Sequence, residues 1–218
     1  MSAEQMKKRN AIQRTVDFFN EVGMLRHTPR SGYAFLGTGK ESVAEHSYRT
    51  AVIGYVLARK TGADASRTML LCLFHDLPEA RTGDFNYVNR LYDTSRETEA
   101  FQDAISGTGL EKELLEAWNE HIARATPESI LAHDADQLDL ILNLKREKDL
   151  GNPYAAKWLE NAVPRLHTDM AKEIAQTILE TDHTDWWYLG PDSSWWGKRG
   201  ECSQSCSQYV QNNDNILK

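Results

Sequence analysis

The sequence predicts an all-α fold, a single helical bundle. Three observations carry that expectation. Apolar residues recur at helical spacing through most of the first 180 or so positions. Helix start and stop signals, such as Thr126-Pro127 and Gly23, fall at the ends of those periodic runs. No strand-like alternation of any length and no internal repeat interrupts them. The 218 residues are enough for one domain and too few for two comfortable ones.

In chain order, the first helix is expected from Glu4 to Gly23, with Ile12, Val16, Phe19 and Val22 on one face. Pro29, Gly32, Gly37 and Gly39 break any helix over residues 24 to 41, which read as a loop. Loops of that length in a compact domain usually serve a function, and this one is expected to lie over a site. A second helix starts at Glu41 or Ser42 and runs to about Gly62, with Ala44, Ala51, Val52, Tyr55 and Val56 as its apolar face. The third covers residues 64 to 76. Its Met69-Leu70-Leu71-Cys72-Leu73-Phe74 run is apolar on every side, which predicts a place in the middle of the fold. It ends abruptly at His75-Asp76, and Pro78 disfavours helix at Leu77. Further helices are expected over about 94 to 106, 110 to 123, 127 to 149, 153 to 161 and 164 to 181.

After Thr181 the pattern changes. Trp186-Trp187 and Trp195-Trp196, set among glycines and Pro191, suggest an irregular segment whose aromatics pack on the body, and from Glu201 the chain is polar. The expected division is therefore residues 1–182 as the domain and 183–218 as an aromatic-rich segment with a polar tail. Cys202 and Cys206 are four apart, but two thiols alone make a poor metal site.

Composition narrows the function classes. No run approaches the 18 apolar residues of a membrane span, and no secretory h-region precedes the first helix. The odd count of three cysteines argues against a disulfide framework, so a cytoplasmic location is expected. With 25 basic and 32 acidic side chains the formal charge is −7, which opposes binding to a nucleic acid backbone.

The chemistry concentrates around the end of the third helix. His75 and Asp76 close an otherwise apolar run, and two ionisable groups there need each other or a metal ion. His46 lies near the start of the preceding helix. Antiparallel helices joined by a short turn bring the start of one beside the end of the next, so His46 and His75 are expected neighbours. Asp136 borders the Leu131, Ala135, Leu138, Leu142 stripe of a later helix. Two imidazoles and two carboxylates make a mixed donor set suited to Zn²⁺, Mn²⁺, Fe²⁺, Co²⁺ or Ni²⁺.

His46, His75-Asp76 and Asp136 together resemble the H…HD…D signature of the HD-domain metal-dependent phosphohydrolases. The resemblance extends over about residues 8 to 182. It is nearest to the YfbR-type 5'-deoxynucleotidases and to HD domain-containing protein 2. Arg30-Ser31-Gly32-Tyr33, Glu41 to Arg49, His75 to Glu79 with Gly83-Asp84, and Asp134-Ala135-Asp136 carry it. It implies a helical domain with one divalent metal at its centre, held by His46, His75, Asp76 and Asp136. It places Glu79 and Asp84 as acidic groups beside the metal, Arg30 on the substrate phosphate and Tyr33 against the nucleoside. It also implies a nucleotide substrate and a homodimer. The metal and Arg30 are the only evident sources of a local positive field.

Three positions depart from the family pattern. Tyr33 stands where Trp is common, Gln137 where Lys is common, and His121 near a usual Tyr or Phe. Other readings stay open from the residues alone. Glu79 fits a helix N-terminal acid, Asp84 a turn or cap, and Arg30 a surface arginine with Arg26 as its substitute. His121, His133 and Asp134 could enlarge the site to two metals, while His27, His167 and His183 read as surface or satisfied histidines. The activity expected first is release of phosphate from deoxynucleoside 5'-monophosphates. The alternatives are hydrolysis of a phosphoanhydride in a nucleoside triphosphate or alarmone, or a metal-stabilised nucleotide sensor without turnover.

Overall fold

The computed structural model describes residues 10–187, and six of its described helices begin at side-chain caps. Helix α1 (Ala11–Met24) opens on a capping box between Asn10 and Gln13. A 3₁₀ turn (Leu25–His27) and the one-turn α2 (Tyr33–Leu36) follow. Helix α3 (Val43–Thr61) starts on a Ser42–Glu45 capping box and stops at Gly62, whose φ of 81° only glycine adopts freely. Asp64 caps α4 (Ala65–Phe74), and His75 closes it. Then come α5 (Glu79–Thr82), α6 (Asn89–Tyr92), α7 (Glu97–Ile105) and α8 (Glu111–Ala123). Helix α9 (Pro127–Asp149) begins with a Thr126–Ser129 capping box and Pro127. Asn152 caps α10 (Pro153–Ala162), a 3₁₀ turn covers Val163–Arg165, and Thr168 caps α11 (Asp169–Glu180).

Among the described residues there is no strand, only an isolated bridge between Pro29 and Ser42. The all-α expectation holds. The loop over residues 24 to 41 is more ordered than its glycines suggest. Its ends are tied by Arg30 N–H to Glu41 O and Val43 N–H to Thr28 O, both at 2.9 Å. The helix expected from residue 164 starts instead at Asp169, because Pro164 sits in a 3₁₀ turn and Thr168 supplies the cap.

Two apolar clusters fill the bundle. The larger joins α3, α4, α9, α10 and α11 through residues such as Leu57, Leu71, Leu138, Ile141 and Ala171. The smaller joins α1, α7 and α8, where Phe101 stacks on Trp118 at 4.7 Å, and it takes in Val43 and Leu77. Along α3, Val43 belongs to the smaller cluster and Ala51 to the larger, with His46 between them. Along α4 and the turn after it, Leu71 belongs to the larger and Leu77 to the smaller, with His75-Asp76 between. The ionisable residues thus mark the seam between two cores.

Which faces are buried differs from the sequence reading. Helix α4 is central, packing on α3, α8 and α9, but it is not buried all round, because Met69 and Leu73 are exposed. On α3 the buried face is Val43, His46, Ser47, Thr50, Ala51, Gly54, Leu57 and Ala58, while Val52, Tyr55 and Val56 face outward. The small and polar residues of α3 are inside because the helices approach closely there. A methyl group at Gly54 would collide with Cys72 Sγ. On α1, Ile12, Val16 and Phe19 are exposed, whereas Phe18 and Arg14 are buried. Arg14 donates to the carbonyls of Asp103, Ala104 and Ser106 at the end of α7, which have no partner within that helix.

The chain divides into two units, Met1–Thr181 and Asp182–Lys218. Of the second, Asp182–Trp187 form a turn in which Asp182 Oδ1 accepts from Thr184 N–H at 2.8 Å and Thr184 Oγ1 at 2.6 Å. The helix start expected at Glu4, the Trp195-Trp196 pair, Cys202 and Cys206 lie outside the described residues.

Candidate metal centre

Helix pairing brings His46, His75, Asp76 and Asp136 together. His46 Nε2 lies 3.2 Å from His75 Nε2, 3.5 Å from Asp76 Oδ2 and 3.2 Å from Asp136 Oδ1. His75 Nε2 lies 3.2 Å from Asp76 Oδ2 and 4.0 Å from Asp136 Oδ1. Donors about 2.1 Å from one shared ion stand about 3.0 to 3.4 Å apart; His46, His75 and Asp76 approach that spacing, while Asp136 meets it toward His46 and lies 4.0 Å from His75.

The other ring nitrogens fix the tautomers. His75 Nδ1 is 2.6 Å from the Cys72 carbonyl, which can only accept, so the proton sits on Nδ1. His46 Nδ1 is 2.7 Å from Asp139 Oδ2 and donates in the same way. Both Nε2 lone pairs then point at each other and at two carboxylates. Four electron pairs converging in a buried seam demand a positive charge, and a divalent ion fits that donor set. Without the ion, protons serve. Burial and the Arg30 charge oppose a charged His46, but Asp136 and Asp139 outweigh them and raise it to about 10. Burial likewise resists a charged Asp76, yet His75, Arg30 and His46 hold its carboxyl well below the usual range.

Arg30 Nη1 lies 3.1 Å from Asp76 Oδ2. Its charge persists against burial because Asp76, Asp136, Asp84 and Glu79 surround it. Glu79 is buried at the start of α5, with Oε2 lacking a hydrogen-bond partner. Burial, then Asp76 and Asp84, push it up to about 10. Asp84 Oδ2 accepts from Ser31 N–H at 2.6 Å and Ser31 Oγ at 3.1 Å, so it clamps the segment that presents Arg30. Arg30, Tyr33, Asp76, Glu79, Asp84 and Asp136 all line one cavity of about 320 Å³.

That cavity corrects one expectation. Arg30 is not the only cation in its wall, since Arg90, Arg124 and Arg165 line it too. Arg124 ends α8 in the left-handed region at φ 49°, an uncommon conformation for a side-chain-bearing residue. Arg165 donates to Tyr87 Oη at 2.7 Å, and Tyr87 meets Trp158 edge-on at 6.1 Å, giving the cavity an aromatic outer wall.

Sequence reasoning also missed the support behind His46. Asp139 is fully buried and takes Arg49 Nε as well as His46 Nδ1, while Asn143 links Asp139 to Glu41. The available signal was its position three residues after Asp136 on the same helix. His121 does not join the donor set. It packs against His75 with ring centroids 5.5 Å apart, and burial together with the His75 charge lowers it to about 4. His133 and Asp134 meet His167 instead.

A helical bundle with paired histidines and aspartates at its seam defines the class, and the comparisons agree. The sequence model of the HD domain matches residues 22–178, and the chain belongs to that family. It is 33% identical over 150 residues to the bovine (Bos taurus) 5'-deoxynucleotidase HDDC2, covering 66% of this chain and 71% of the relative. The 5'-deoxynucleotidase HDDC2 of Dictyostelium discoideum is 29% identical over 190 residues, covering 77% and 97%. Among solved structures, a conserved hypothetical protein from Pyrococcus furiosus superimposes with a TM-score of 0.64 at 27% identity, covering 76% of this chain and 99% of that one.

Proposed function

We propose that this chain is a metal-dependent phosphohydrolase that releases phosphate from deoxynucleoside 5'-monophosphates. The observation that carries the reading is the convergence of four metal-competent donors beside an arginine and a buried carboxyl group in one cavity. The names of the bovine and Dictyostelium relatives support the substrate class. His46, His75, Asp76 and Asp136 hold the ion, with Mn²⁺, Co²⁺, Fe²⁺, Zn²⁺ and Ni²⁺ all compatible with their donors. When bound, such an ion supplies positive charge that polarises a phosphoryl group and makes water more acidic.

The remaining chemistry belongs to side chains. Arg30 binds the phosphate oxygens, and its planar guanidinium can meet two of them at once. Asp84 keeps that segment in place through Ser31. Hydrolysis adds water to phosphorus, breaks the P–O5' bond and requires a proton on the departing 5'-oxygen. Glu79, buried beside Asp76 and Asp84 in the same cavity, is the carboxyl group placed to orient the water or relay a proton to that oxygen. Tyr33 lies in the wall where the nucleoside packs. Measuring phosphate release from a panel of nucleoside mono- and triphosphates with Mn²⁺ or Co²⁺ tests the reading. Preferential turnover of deoxynucleoside 5'-monophosphates is expected, and turnover of triphosphates alone would overturn it.

Residues 1–182 are the catalytic unit in this reading, and 183–218 an appended segment. The protein acts as a cytoplasmic homodimer without a nucleic acid partner. Its acidic charge and the free, buried Cys72 are in keeping with that setting. The stripe formed by Tyr48, Val52, Tyr55 and Val56 offers the dimer an apolar surface. No described helix is long and apolar enough to cross a membrane.

A further inference from the structure

We propose that His133, Asp134 and His167 form a second site for a divalent transition-metal ion, separate from the central cluster. One ligand-competent atom from each lies within 4.8 Å of the other two. His167 Nδ1 is 3.4 Å and His133 Nδ1 is 3.8 Å from Asp134 Oδ1. Those separations approach the roughly 3.4 Å between donors on one tetrahedral zinc ion.

Three further observations point to a cation. First, the His133 side chain is 10% exposed, and its buried Nδ1 has no hydrogen-bond partner. Asp134 Oδ1, at 3.8 Å, makes a long electrostatic contact with it rather than a well-formed hydrogen bond. A buried polar atom left without a partner is costly and needs a reason. Second, Asp134 is fixed in advance. Oδ2 accepts from Thr168 N–H at 2.8 Å and Thr168 Oγ1 at 2.6 Å, and Oδ1 accepts from His167 N–H at 2.8 Å. The Oδ1 atom still has a lone pair on the side of the two imidazoles. Third, the His133 and His167 rings meet edge to face with centroids 4.9 Å apart, and His167 is 57% exposed, so an ion can enter and keep water in its shell. Anchoring the start of α11 uses only the backbone of His167 and Thr168 with the Thr168 hydroxyl, and explains neither imidazole.

The site cannot share the central ion. Asp134 and Asp136 are two apart on α9, so their side chains leave different faces. Two nitrogens and one oxygen suit zinc, nickel or copper rather than magnesium or calcium. Because His133 also lines the substrate cavity, an ion held there adds positive charge to that wall.

The test uses the full chain, loaded with Zn²⁺ and freed of excess, against the H167A variant. His167 is outside the proposed catalytic set, so basal hydrolysis with one equivalent of central metal should be unchanged. The wild type should bind one more zinc per chain than H167A, and the titration step that remains should keep its affinity. With Co²⁺, the wild type should show an added tetrahedral absorption band at the second equivalent that H167A lacks. The H133Q variant should lose the same second zinc; because His133 lines the substrate cavity, only its metal content and Co²⁺ band are read. Unchanged melting temperatures of the metal-free variants would exclude loss of fold. Equal zinc content and equal affinities in wild type and both variants would overturn the proposal. Failure of the central assignment would instead remove the step that H167A retains, so the two readings fail separately.

Discussion

Asp139 sets the tautomer of His46, so its charge matters more than its volume. In D139N, Arg49 Nε can only donate and so holds the amide oxygen, which turns the amide NH₂ toward His46 Nδ1 and puts the imidazole proton on the metal side. We expect metal affinity about 10- to 100-fold weaker, read by isothermal titration, with little change in helix content. The residues of the cavity should separate by a joint assay of metal content and rate. D76A should lose metal and activity together. R30A should keep the metal and lose roughly 100-fold or more in kcat/KM, because its contact strengthens as charge develops on phosphate. E79Q should keep the metal and slow turnover by a similar order. Near-normal rates in both R30A and E79Q would refute the site. The metal-free protein also has a predicted pH response. His46 is raised above its ordinary value of 6.5 to about 10. Stability from its protonation is therefore fully present below about pH 6.5 and is lost as pH rises through 10. Metal binding runs the other way, since the ion displaces that proton, and apparent affinity should weaken about tenfold for each pH unit lost per proton displaced. At this scale the clustering of His46, His75, Asp76 and Asp136 was legible from residue type and motif. Asp139 and His167 were not, because Asp139 acts through α3, with only its spacing from Asp136 as a hint, and His167 comes to Asp134 from the loop before α11.

Gly54 connects the helices to the site. It lies on the face of α3 packed against α4, and a Cβ there would meet Cys72 Sγ and press on Thr68. G54A gains helix propensity but must part the two helices that carry His46 and His75. The close packing should win, with a net loss of about 1–3 kcal/mol in unfolding free energy and weaker metal binding, measured by denaturant melts and zinc titration. The helix ends were readable because their caps are local: Ser42, Asp64 and Thr126 are short polar side chains just before periodic runs. The buried faces were less readable. On α3, close approach rewards Gly54, Ala51 and Thr50, leaving Tyr55 and Val56 outside, so ranking side chains by hydrophobicity selected the wrong side. On α1 the same ranking overlooked Arg14, which is buried because its guanidinium satisfies the carbonyl end of α7.

For the whole molecule, the exposed apolar stripe on α3 provides the sharpest expectation. Tyr48, Val52, Tyr55 and Val56 recur at i, i+4, i+7 and i+8, which places them on one side of the helix, and they are 71%, 48%, 44% and 40% exposed. Met69 and Leu73 extend the apolar surface on the neighbouring α4. His46, the one proposed ligand on α3, projects from the opposite, buried side of that helix. A dimer formed through the stripe would therefore leave the cavity chemistry within each chain. In a two-fold interface one patch meets itself, so a single substitution introduces two charges into the contact. V52E should shift the protein from dimer to monomer in light scattering at micromolar concentration. Because Val52 is outside both apolar cores, the monomer should remain folded and keep its central metal and its rate per chain. Truncation after residue 182 should leave the dimer, the metal and the rate intact, since every residue assigned to the site precedes it. A wild-type protein that is already monomeric would remove the dimer and leave the site unaffected. A V52E protein that loses its metal would instead mean that the outer face of α3 supports the ligands on its inner face, and the separation of assembly from chemistry argued for this fold would be wrong.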